Sequence, residues 1–79
     1  MIYMQEFELQ SLNFEEMTYM LRQGLLTNDW DLVDYTADQI RHKMNLSPTR
    51  QPALWRLPPK KFAEAILRKA ERAISVSHI

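Results

Sequence analysis

Apolar residues recur at helical spacing in three stretches of the chain, with a proline-rich interval between the second and the third. In the first stretch Phe14, Met17, Leu21 and Leu25, with Met20 beside them, form one stripe, the pattern of a helix that buries a single face. Asn13 precedes it as a good N-cap. Glu15 and Glu16 set negative charge on the positive end of the helix dipole, and Glu16 stands at the reciprocal capping position. The only glycine, Gly24, followed by Thr27, Asn28 and Asp29, places the end of this helix near residues 24–27.

The second stretch is the most regular. Trp30, Val33, Ala37, Ile40 and Met44 are spaced three, four, three and four residues apart, the seam of a helix lying alongside another. Asn28 or Asp29 caps its start, and Arg41, His42 and Lys43 sit at its negative end. The repeat is too short for a coiled coil, so it predicts an antiparallel hairpin with the first helix and a core containing Trp30, Val33 and Ile40.

Residues 45–59 interrupt helical periodicity with Pro48, Pro52, Pro58 and Pro59, leaving room for at most a short helical turn within 52–57. Leu54, Trp55 and Leu57 in this interval are read as an anchor holding the connection on the core. The sharper alternative makes Trp55 a contact for a partner. A third helix is predicted from Pro59 or Lys60 to about Ser75, with Phe62, Ala63, Ile66, Leu67, Ala70, Ala73 and Ile74 on a broad apolar face and a frayed tail after it. At the other end Ile2, Met4, Phe7 and Leu9 alternate imperfectly with polar residues, which predicts an extended arm lying on the helices or pairing with another chain. The expected fold is all-α: a small three-helix domain, a helical hairpin plus a C-terminal helix, with an extended N-terminal arm and a Pro-rich connection, covering residues 1–79 as one unit.

Length makes that domain marginal. A chain of 79 residues buries only about 60–65% of its unfolded surface, disulfides are excluded by the lack of cysteine, and with only His42 and His78 and no Cys-x-x-Cys pair a structural zinc is not expected. Self-association, giving a homo-oligomer, is the expected aid. With 46% apolar residues and one glycine the chain is too rich in core material for wholesale disorder. The first eight residues lack the basic and apolar regions of a signal peptide, and no apolar run approaches the roughly 20 residues that span a bilayer, so a cytoplasmic protein without a membrane partner is expected.

Charge adds an asymmetry that the total of zero conceals. Residues 1–44 hold eight acids against three bases, a net of −5, and residues 45–79 hold seven bases against two acids, a net of +5. Opposed surfaces of this kind can bind each other across subunits, or can offer a basic face to an anionic partner.

Catalytic and metal chemistry find little support. Asp34, Asp38 and His42 share one side of the second helix at four-residue intervals, but a transition metal needs further ligands, and the ordinary reading is a solvated acidic face. There is no cysteine, no nucleophile elbow and no glycine-rich phosphate loop, so no enzyme, cofactor or catalytic residue is predicted. Ile40, Met44, Asn45, Leu46, Ser47 and Leu54 partly follow a helix-turn-helix pattern, from which Arg41, Gln51 and Pro52 depart. Arg50, Arg56, Lys60, Lys61, Arg68, Lys69 and Arg72 form a basic set that could line phosphates or an acidic protein surface, although Lys61 with Glu64, Glu64 with Arg68 and Arg68 with Glu71 stand at pairing distance along a helix. The expected function is that of a small non-enzymatic regulatory or inhibitory protein that binds another protein through this basic set, with Trp55 as apolar anchor. A nucleic-acid-binding, helix-turn-helix-like regulator using the same residues is the alternative.

Overall fold

The computed structural model describes residues 13–77, and among them it contains four helices and no strand: α1 (Phe14–Thr27), α2 (Trp30–Lys43), α3 (Pro52–Trp55) and α4 (Pro59–Ser77). The predicted N-terminal arm lies outside the described residues. Asn13 is extended, and its Oδ1 accepts the Glu16 N–H at 2.7 Å, so α1 begins at its predicted cap. Asp29 Oδ1 accepts the Leu32 N–H at 3.3 Å at the start of α2.

Both hairpin helices end on asparagine in the left-handed region. Asn28 has φ 56°, and the Asp29 N–H reaches back to the Gly24 carbonyl at 2.9 Å. Asn45 has φ 60°, the Leu46 N–H reaches the Arg41 carbonyl at 2.9 Å, and Leu46 is buried beyond it. This is the closing pattern in which a positive-φ residue lets orphan carbonyls find donors while the next apolar residue folds back on the helix.

Gly24 therefore does not terminate α1; it lies within the helix, where α2 crosses closely. A Cβ at position 24 would stand 2.9 Å from Val33 Cγ2 and 3.3 Å from the Val33 nitrogen. Alanine is better than glycine in a helix by about 1 kcal/mol, but overpacking costs about 1–3 kcal/mol, and the stiff valine cannot swing away. Gly24→Ala is accordingly expected to lower stability in urea denaturation, and the double variant Gly24→Ala, Val33→Ala to lose less than the sum of the two single losses. Additive losses would show that this contact does not set the helix separation.

The core lies where α1, α2 and α4 meet. Met17, Leu21, Ile40 and Ile66 are fully buried, Val33, Ala37, Ala63 and Ala70 nearly so, and Leu46 and Leu54 join them from the connection. The buried Thr18 and Thr36 hydroxyls donate to the Phe14 and Leu32 carbonyls at 2.8 and 2.7 Å, which meets the demand that a buried polar group be bonded.

Four details differ from the sequence reading. Trp30 is 39% exposed instead of core, because α4 begins opposite Val33, Asp34 and Ala37 and leaves the first turn of α2 uncovered. Leu57 is 38% exposed, so only Leu54 and the half-buried Trp55 anchor the connection. Ala73 is exposed at the edge of the α4 face, and α4 continues to Ser77.

Candidate binding surface

The basic residues singled out by sequence, Arg50, Arg56, Lys60, Lys61, Arg68, Lys69 and Arg72, are all exposed. The helix-neighbour pairing expected along α4 does not form: among the described residues none of these seven makes an ion pair with a carboxylate. Glu71 turns instead to Arg22 on α1, because the two helices lie side by side there. The cations of α4 remain available to an outside partner.

Five of the seven converge on one surface. Pro52 fixes the first turn of α3, α3 packs on α4, and Leu54 is buried between them, so a groove of about 510 Å³ opens along Pro52, Ala53, Leu54 and Leu57, with Arg50 on one rim and Lys69 on the other. Leu57 is shared with a second, adjoining depression of about 280 Å³ bordered by Lys61, Ala65 and Arg68. Arg68 and Lys69 continue to Arg72 one turn further along α4. The floor is apolar and the rim is cationic, with no carboxylate lining either depression. Such a site suits an apolar side chain flanked by negative charge, since the apolar part gains by leaving water and the rim supplies attraction that falls with salt.

Arg56 and Lys60 do not line this groove. Trp55 turns to the other side of α3, into the hollow bordered by Val33, Ala37, Arg41 and Phe62. Its ring meets that of Phe62 edge-on, with centroids 5.1 Å apart and planes at 68°, and the Arg41 guanidinium stands 6.0 Å from the ring centre. Those are the contacts of an internal anchor, each contributing on the order of 1 kcal/mol. The apolar member facing outward is Leu57, together with Pro52, Ala53 and Ala65, which sequence reasoning did not place at the site. The signal available was an unpatterned leucine between Arg56 and Pro58, ambiguous without the angle between α3 and α4.

The other candidate constellations resolve into local pairs. Asp38 accepts from Arg41 at 2.8 Å and stands 3.7 Å from His42 Nε2, and among the described residues no group of three or more His, Asp or Glu side chains is placed to hold a metal ion. The segment compared with a helix-turn-helix has after its turn only the four residues of α3, in place of a helix long enough to lie in a DNA groove. No described helix is long and apolar enough to cross a membrane. Searches with this chain match no protein-family model, no curated protein and no solved structure.

Proposed function

We propose that this protein is a small non-enzymatic binding module, regulatory or inhibitory in action, that occupies a segment of another protein through the groove between α3 and α4. The observation carrying this reading is the exposed apolar floor centred on Leu57 inside a rim of cations, Arg50, Lys61, Arg68 and Lys69, that form no ion pair among the described residues. A partner of matching chemistry presents a tryptophan or leucine between aspartates or glutamates. Covering that partner segment denies it to other ligands, and inhibition by occlusion requires nothing more.

The run Arg68, Lys69 and Arg72 favours a second reading, a nucleic-acid contact. Salt separates the two. Phosphate binding releases counterions, so affinity falls with a log–log slope near −0.9 for each phosphate neutralised, whereas burial of an apolar side chain leaves a salt-resistant remainder. Fluorescence anisotropy of a capped Asp-Trp-Asp peptide and of a short random DNA duplex, each titrated at low and high salt, is expected to show peptide binding that persists at high salt. Duplex binding alone, vanishing steeply with salt, would favour the nucleic-acid reading.

A further inference from the structure

The chain carries, at the turn between α1 and α2, a surface that complements its own groove. Leu26 is 71% exposed and Trp30 39% exposed, two large apolar side chains four residues apart at one end of the hairpin. Asp29, Asp31 and Asp34 beside them are exposed, the stretch from Leu26 to Asp34 contains no base, and among the described residues none of these three carboxylates pairs with a cation. The groove offers the inverse: Leu57 as apolar floor, Arg50 and Lys69 as rim. Both features are exposed in the same molecule, and no residue of the turn lines the groove, so the turn does not fill the groove of its own chain.

We propose that a second copy of this chain docks its α1–α2 turn into the groove, with Trp30 on Leu57 and Asp29 and Asp31 against Arg50 and Lys69. This rests on the groove being a binding surface, and adds to that reading a specific occupant. The contact joins two different patches, so it is head-to-tail: each copy keeps one free groove and one free turn, and association continues into rings or open chains instead of stopping at a symmetric dimer. It also supplies the extra burial that a domain of this size otherwise lacks. A contact built on one aromatic anchor and two rim charges belongs with the weak, transient class, so association is expected at about micromolar to millimolar concentrations.

Two blocked variants test this. Lys69→Glu with Leu57→Asp disables the groove, and Asp31→Lys with Trp30→Ser disables the turn; all four positions are exposed, and circular dichroism verifies the fold of each. Should Trp30→Ser disturb the helix start, Asp31→Lys alone replaces it. Sedimentation velocity of the full chain between about 10 µM and about 1 mM is expected to show wild-type mass rising beyond two chains, and either variant alone staying a monomer. An equimolar mixture is expected to form a two-chain species and nothing larger, because only one intact groove and one intact turn remain to meet. A wild-type chain monomeric throughout, or a mixture that stays monomeric, overturns the proposal. If the wild type is monomeric while the Asp-Trp-Asp peptide still binds, self-docking falls and the groove reading stands. If the wild type self-associates and the groove variant does so equally, self-docking through the groove is overturned, and loss of groove-specific peptide binding is then required to overturn the reading beneath it.

Discussion

Ile66→Ala is expected to lower the free energy of unfolding by about 3–4 kcal/mol, because the side chain is fully buried in a core to which three helices contribute, and a cavity left in such a core closes only in part. Ile66 lies on α4, which packs against α1, α2 and α3, so one truncation loosens the attachment of α4 to the rest of the fold. A domain of this length has a total stability of roughly 4–12 kcal/mol, and a loss of that size moves a large share of it. Urea denaturation followed by circular dichroism measures the change, with Ala73→Ser, exposed on the same helix, as a control expected within about 0.5 kcal/mol of wild type. A loss below about 1 kcal/mol for Ile66→Ala would mean that the three helices do not share this core.

What the sequence made legible follows from how local each signal is. Asn13, the seam of Val33, Ala37 and Ile40, and Pro59 at the start of the last helix all act through residues within one or two turns, and each stands as predicted. Trp30 belongs to the same periodic seam yet is exposed, since periodicity gives the face of a helix but not where its neighbour begins. Glu71 had Arg68 at helix spacing and Arg22 across a helix interface, and only the packing angle decides between them. Gly24 resembled a helix stop because glycine commonly serves as one, whereas its neighbour in space is Val33.

The groove was half legible for the same reason. Its cations were apparent from charge alone, and five of the seven meet at the surface described. Its floor was not, because Pro52, Ala53 and Leu57 are brought beside α4 only by the docking of a one-turn helix on it. Trp55, the one aromatic residue in 45–59, faces the opposite way, toward Phe62 and Arg41.

Leu57→Asp combined with Lys69→Glu is expected to weaken binding of the Asp-Trp-Asp peptide by about 30-fold or more, since losing the apolar contact and reversing a rim charge each cost about 1–2 kcal/mol and ten-fold corresponds to about 1.4 kcal/mol. Lys69 is exposed and neither residue forms an ion pair among the described residues, whereas Leu57 is 38% exposed, so urea denaturation of the variant measures how much stability its covered part contributes. Lys60→Glu, on the same helix but outside the groove, serves as the charge control and is expected to change affinity less than threefold, about 0.65 kcal/mol. Equal weakening by Lys60→Glu would identify diffuse charge attraction, and not a shaped site, as the source of binding.

The most direct test of the groove is an amide chemical-shift map of the full chain titrated with that peptide at high salt. Shifts concentrated at Ala53, Leu57, Ala65 and Lys69, saturating together and absent in the Leu57→Asp, Lys69→Glu variant, are the predicted result. Shifts spread evenly over the exposed cations of α4, or confined to the Trp55–Phe62 hollow, would contradict the assignment of the groove as the binding surface.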